Sequence, residues 1–464
     1  MEVGSDFTLV INELNSEDPS IRRSAAEKFL FEEIPTELVI PLTNKLEDED
    51  NGVRDIVSSV LISSENPDIP TYVVPFVSSK NISVRNLAGE ILLKKGINSL
   101  DAMIEYLPKG DDDDKKFVID VMGLIGDLKP VKEIVEVLKT SQNENVVLAA
   151  LEALGNIKAE EAEDEIIAKF NENELYQPTV TESLGKIGTE KSLKFIYNKF
   201  NEVDDLSKFP MIESLGTVGN EEAFFLLLSE LKNLKGALAW AAIKSLRELK
   251  DRYGLDVPFD ESMKNSLLST LVEGELEHKK AAADLISFFS DKDIIETALK
   301  VYGQDEEIDY FLKPKFFENP ALVFPKITEC LRESSVNTKQ LFDLIKELIS
   351  SDQQSLEELS SVNMRNLCDV FTDNLDNPDE EVRRSSIELL FFCNYETAIL
   401  FLDTIINDDN FWNRLRLLEI LEQVEDERII ETLKKLSDDP EEMVKEKAVW
   451  LLNQRGINNL EIKA

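Results

Sequence analysis

NVVLAALEALGNI, Asn145–Ile157, reads as one amphipathic helix. Val146, Ala150, Leu151 and Leu154 recur at helical spacing and make a single apolar stripe, the pattern of a helix with one buried face. Asn143 stands just ahead, a residue type that accepts hydrogen bonds from the free N–H groups of a first helical turn. Gly155 follows Leu154 and has no side chain to keep a neighbouring backbone away. Related endings are Leu184-Gly185-Lys186-Ile187-Gly188 and Leu215-Gly216-Thr217-Val218-Gly219. Their second glycine suits a left-handed helix stop.

Outward from Leu154, the same place is held by Phe29, Leu61, Leu92, Met122, Leu184, Leu215 and Leu246, at steps of 30–32 residues. Leu285, Leu390, Leu421 and Leu452 extend the column, with 31 residues in each of the last two steps. A fixed period of this size marks a repeat array. Eleven residues before the column stand Asp18, Asp50, Asn81, Asp111, Asn143, Asn173, Asp204, Asp379 and Asn410, with Lys235, Gly274 and Glu441 as exceptions. Pro19 takes a first helical position, where its missing N–H costs nothing. A second amphipathic helix follows each first one: Lys129–Lys139, Glu160–Phe170, Glu190–Phe200 and Glu221–Lys232. A lone hairpin of this kind cannot bury its stripe, whereas stacked neighbours can.

DPSIRRSAAEKFL (Asp18–Leu30), DNGVRDIVSSVL (Asp50–Leu61), NISVRNLAGEIL (Asn81–Leu92), NVVLAALEALGNI and DEEVRRSSIELL (Asp379–Leu390) resemble HEAT repeats, in the short variety first described in phycobilisome lyase subunits. The resemblance implies an all-α fold, a right-handed HEAT-like α-α superhelix of about 13 helical hairpins. Residues 1–253 read as regular repeats, 254–375 as divergent repeats and 376–464 as C-terminal repeats with a short, frayed tail, together one continuous solenoid. The Leu285-to-Leu390 gap has room for three repeats of about 35 residues. Pro314, Pro320 and Pro325 predict short or broken helices across Tyr302–Lys326.

The charge narrows function. Against 51 Lys and Arg stand 92 Asp and Glu, a net −41. Phosphate backbones and anionic membranes repel such a surface, so neither nucleic acid nor membrane is an expected partner. A salt-adapted host is a second explanation of the acidity. No run of 18 apolar residues is present, so no spanning helix is expected. Met1–Val10 lacks the basic and apolar parts of a secretory signal. Cys330, Cys368 and Cys393 are sparse and odd in number, which reads as free buried thiols and a cytoplasmic location.

Four groups of residues are candidate sites. Arg22, Arg54, Arg85, Lys115, Lys208, His278, Arg383, Arg414 and Lys445 share one register, one residue past the first of the stripe. Recurrence at one place favours a structural ladder pairing each base with carboxylates or carbonyls of adjacent repeats. His278, the one histidine, thereby reads as a ladder member rather than a catalytic base or metal ligand. Glu27, Glu90, Asp120, Glu152, Glu182, Glu213, Glu388 and Glu419 lie two residues before the column, well off the apolar stripe. They are either a docking track for a basic partner or a habit of this repeat. Phe209 and Trp240 share a further register and would be anchors beside the carboxylates if exposed; Trp412 and Trp450 lie in later repeats. Asp111-Asp112-Asp113-Asp114 lacks the alternating ligands and turn glycine of a calcium loop and reads as a cap with an acidic first turn.

Catalysis finds no residue set: one histidine, no phosphate-binding glycine loop, no paired Cys/His spacing. No cofactor and no metal are expected. The leading reading is a non-catalytic scaffold binding a protein partner, one with a basic surface, along an acidic concave groove. The resemblance leaves two alternatives, a bilin-lyase-like or other HEAT-type enzyme subunit and a regulatory adaptor in prokaryotic signalling.

Overall fold

The computed structural model describes residues 7–257, 261–286, 292–318, 320–333 and 337–457. Every regular element among them is a helix. Residues 458–464 of the tail, for which the sequence predicts fraying, lie outside the described residues. The chain divides into two compact units: Met1–Ser229 with Glu248–Gly254, and Glu230–Arg247 with Leu255–Ala464.

In the first unit, first helices Pro19–Glu27, Asn51–Ser63, Ile82–Lys95, Asp112–Ile125, Glu144–Ile157, Gln177–Ile187 and Asp205–Val218 alternate with shorter second helices such as Leu100–Tyr106, Val131–Thr140 and Glu163–Lys169. Consecutive first helices pack side by side. In the second unit the pairs include Leu276–Ile286 with Lys292–Val301, Glu306–Glu318 with Pro320–Glu333, and Phe411–Leu421 with Ile429–Leu436. Each unit is therefore a stack of HEAT-like helical hairpins, all-α as the repeat pattern implies.

All twelve column residues are buried, eleven at 0 % exposure and Phe29 at 7 %. Full burial of one such leucine contributes about 1.5–3 kcal/mol, which is why the period is legible in sequence. All nine Asp and Asn caps accept a backbone N–H from their own first turn, as Asp50 does from Val53 (3.0 Å) and Asn143 from Asn145 (3.0 Å). Asp111 accepts from Asp114 (3.0 Å), and the buried Asp114 takes the Ser78 hydroxyl at 2.6 Å. That run is a cap and a packed first turn.

Three expectations are corrected. Pro314 and Pro325 sit inside unbroken helices, Glu306–Glu318 and Pro320–Glu333. A mid-helix proline costs about 3 kcal/mol, but Pro314 and Tyr310, whose carbonyl it frees, lie on the exposed face, and Ile308, Leu312 and Phe316 bury the other face completely. The divergent stretch is not evenly spaced. Phe316 lies 31 residues after Leu285, so the period holds there. The excess falls in the 74 residues from Phe316 to Leu390, which hold an additional short helix, Gln353–Glu357. Gly188 is left-handed (φ 72°), as expected, but Gly219 is extended (φ −65°). At Gly219 the need is for space: a Cβ would lie 2.1 Å from the Leu215 carbonyl oxygen.

Candidate interaction surface

Inner first helices of the first unit pack against a second helix on one side, as Glu144–Ile157 does against Val131–Thr140, and against neighbouring first helices on two more. Past the first turn, one line is left toward solvent: the positions six and two residues before the column and two after it. These are Leu148, Glu152 and Asn156 on Glu144–Ile157, then Pro178, Glu182 and Lys186, then Phe209, Glu213 and Thr217.

Glycine sets the register of this line. A Cβ on Gly123 would lie 2.8 Å from Ala153 Cα, one on Gly155 2.7 Å from Ser183 Cα, and one on Gly185 1.9 Å from Ser214 Oγ. Each time, the residue after the column faces the residue before the next column. Lys186 Nζ donates to Asn156 Oδ1 (2.9 Å), joining equivalent positions of two repeats. Asp120, Glu152, Glu182 and Glu213 thus hold one place on consecutive helices, whose axes pack about 8–10 Å apart.

The line is less acidic than its column suggests. Asp120 pairs with Lys116 (2.6 Å) and Glu182 with Lys186 (2.6 Å). Glu152 and Glu213 show no ion pair among the described residues. Glu27 and Glu90 are exposed on their own helices. In the second unit Glu388 is held by Arg416 (2.6 Å) and Lys346 (3.1 Å), and Glu419 by Arg416 (2.7 Å). Much of the acid sits in first helical turns instead, as Asp112–Asp114, Glu163–Glu165 and Glu380–Glu381 do. The helix dipole favours carboxylates there.

The aromatic candidates are both half-buried. The Trp240 indole Nε1 is sealed from water without a hydrogen-bond partner, and its ring lies 6.2 Å from that of His278. Trp412 and Trp450 are more open, at 50 % and 43 % exposure.

The basic column is a ladder only in part. Arg22 donates from Nε and Nη2 to Asp48 (2.9 and 2.7 Å) and from Nη1 to the Ser16 carbonyl (2.9 Å). Arg383 does the same with Asp408 (2.8 and 2.9 Å) and the Asn377 carbonyl (2.8 Å), and Arg414 with Asp439 (2.8 and 2.9 Å) and the Asp408 carbonyl (2.6 Å). Each aspartate stands two residues before the next repeat's cap position. Burial acts to raise these carboxyls, yet the arginine and backbone bonds outweigh it and hold all three below the ordinary carboxylate range. His278 is not a rung. The place that supplies the aspartate is Gly303 there, and His278 Nδ1 is buried without a partner.

In the second unit the equivalent positions of Glu380–Cys393 and Phe411–Leu421 border a cleft of about 640 Å³. Phe391, Phe392 and Tyr395 form its walls, with Glu388 and Glu419 at the rim. Tyr395 donates to Asp426 (2.9 Å), and burial with that bond pushes its hydroxyl up to about 12. The column found the two rim carboxylates; the aromatic wall was missed. Its signal is Leu389-Leu390-Phe391-Phe392, more consecutive apolar residues than one buried stripe requires.

Burial pushes the thiols of Cys330 and Cys368 up to about 11 and that of Cys393 up to about 12. Among the described residues no three His, Cys, Asp or Glu are grouped to hold a metal ion, and no helix is long and apolar enough to cross a membrane.

No protein family matches the sequence, and no curated protein does. Among solved structures the chain is similar to importin beta crystallised in an ammonium sulfate condition, with a TM-score of 0.41 and 10 % identity over 97 % of this chain and 74 % of that one. It is also similar to the karyopherin Kap121p bound to the extreme C-terminus of the protein phosphatase Cdc14p, with a TM-score of 0.39 and 12 % identity over 98 % of this chain. This chain spans 57 % of that karyopherin's length.

Proposed function

We propose that this chain is a non-catalytic scaffold that binds a protein partner with a basic surface along the open line of its first helices. The observation that carries the reading is the shared register of Asp120, Glu152, Glu182 and Glu213, fixed by backbone-close contacts at Gly123, Gly155 and Gly185. Equivalent carboxylates at a constant interval suit an extended cationic segment, with charge steering the encounter. The glycines bring first helices closer together than second helices such as Val131–Thr140 and Glu163–Lys169 come. A stack tighter on one side bends toward that side, which supports reading the carboxylate line as the inner wall of this stretch. Partial neutralisation by Lys116 and Lys186 leaves Glu152 and Glu213 as the free charges of the line. A cytoplasmic location belongs to the same reading, supported by the sparse, unpaired cysteines, of which Cys330 and Cys368 are buried and Cys393 half-buried.

The test reverses three charges together, Glu152→Lys, Glu182→Lys and Glu213→Lys. Partners captured from the source cells are titrated against wild type and variant at about 50 and 300 mM salt. The expected result is an affinity loss of at least about tenfold and a flatter salt dependence. Unchanged affinity and salt slope would remove the line from the binding surface.

A further inference from the structure

Arg–Asp clamps bridge consecutive repeats at Arg22, Arg383 and Arg414. Between the repeat whose first helix is Asp112–Ile125 and the next, whose first helix is Glu144–Ile157, the clamp is missing. The base is Lys115, half-buried and without an ion pair among the described residues, and the place of the aspartate is Ser141. The first helices touch at Gly123 and Ala153 and again through Asp112 and Asn143 (3.1 Å), so the opening lies beside them, between the second helices Leu100–Tyr106 and Val131–Thr140. A cleft of about 770 Å³ opens there, with Lys115 and Ser141 in its lining.

Its chemistry is two-sided. Ile104 and Leu107 from one second helix and its end, and Val137 from the next, make an apolar floor. Glu133, Glu136 and Asp112 stand around it, and none makes an ion pair among the described residues; Asp112 accepts only the Asn143 side-chain amide, at 3.1 Å. Three carboxylates against one lysine leave the rim negative, beside the further acids Asp111 and Asp113. The volume is within the range of about 300–1,000 Å³ that takes a drug-sized ligand or a few side chains.

We infer that this cleft is an anchor site for a linear segment of a partner protein presenting a bulky apolar side chain between lysines or arginines. Apolar contact with the floor supplies the affinity, and the unpaired carboxylates select a cationic flank and disfavour an acidic one. None of its lining belongs to the open line of the first helices, so this site stands or falls independently of the function proposed above.

The probe is a fluorescein-labelled hexapeptide, a leucine–phenylalanine pair between two pairs of lysines, titrated by anisotropy into the full chain. Saturable one-to-one binding is expected. Thr140→Trp, which fills the cleft from an exposed position, and the double variant Glu133→Lys with Glu136→Lys each weaken it by at least about tenfold. Replacing the apolar pair of the peptide by serines does the same. Glu221→Lys with Glu222→Lys makes an equal change of net charge elsewhere and shifts binding less than about threefold. Circular dichroism melts confirm that each variant is folded. Equal weakening by the two charge-reversed pairs would reduce the effect to adsorption on a polyanion, and unchanged binding to Thr140→Trp would place the peptide elsewhere. Concentration-dependent dimerisation that expels the peptide would assign the cleft to a second copy of this chain. Any of these outcomes overturns the inference.

Discussion

Two kinds of seam join the hairpins of this protein. At Arg383–Asp408 and Arg414–Asp439 a buried guanidinium grips a carboxylate of the next repeat with two bonds and a carbonyl of its own repeat with a third. At Lys115 and Ser141 the same places hold a lysine and a serine, and the seam opens into a cleft with an apolar floor. Repeat helices of the same design thus carry a buried clamp at some seams and, at Lys115 and Ser141, none beside an apolar-floored cleft. A bidentate fork needs arginine, since lysine is a point charge without the paired geometry.

The largest effect expected from this difference is on the locked side. Arg414→Leu leaves Asp439 buried and unpaired, and such a loss costs about 3–5 kcal/mol, read as a shift in urea unfolding. A loss below about 1 kcal/mol would make the clamp no stronger than a surface pair and erase the contrast. The same joints should be the acid-sensitive ones. Asp48, Asp408 and Asp439 are held below the ordinary carboxylate range, so their stabilisation is complete above the unfolded value of about 3.9 and is lost as pH falls through the lower folded values. Hydrogen exchange from pH 5 down to 3 should therefore lose more protection across residues 377–455 than across 112–157; equal losses would contradict it.

Next in size is the contact between the first helices beside the cleft. Gly123→Ala puts a Cβ 2.8 Å from Ala153 Cα and should cost about 1–3 kcal/mol by overpacking. Alanine outdoes glycine in helix propensity, so a stabilised variant would show that the helices can part freely there. A smaller effect comes from transplanting the clamp. Ser141 Oγ already accepts the Asn143 N–H (3.2 Å), as Asp48 Oδ1 accepts that of Asp50 (3.1 Å), so aspartate fits the place. Lys115→Arg with Ser141→Asp should stabilise the chain by about 0.5–1 kcal/mol and weaken binding of the lysine-flanked peptide, whereas Ser141→Asp alone should strengthen the attraction for it. The smallest change is expected at the thiols. With values pushed up to about 11 and 12, the three cysteines should stay unmodified by a disulfide reagent at pH 8 until the chain unfolds.

The repeat, its caps and its buried column were legible from sequence because each depends on neighbours within one helix. A cap acts on N–H groups two or three residues away, and a stripe follows the helical period. Both acid and base columns were legible as registers for the same reason. What a register does was not legible. Arg383 is a clamp and His278 is not, because the partner lies about 25 residues further on and is Asp408 in one case and Gly303 in the other. Glu388 and Glu152 share a column, yet only Glu388 is neutralised, by Lys346 and Arg416 on two neighbouring helices. The aromatic cleft at Phe391, Phe392 and Tyr395 escaped for a related reason: an apolar run reads the same whether its surplus residue meets a neighbour or water.

By itself the sequence determined that this chain is a stack of capped helical hairpins with one column of side chains at the core of each. Tertiary structure alone decided which joints are locked and which stand open, and which acids are free to meet a partner. Hairpin identity is set by interactions a few residues long, while a seam is set by pairs a whole repeat apart, whose meeting depends on how closely two helices approach.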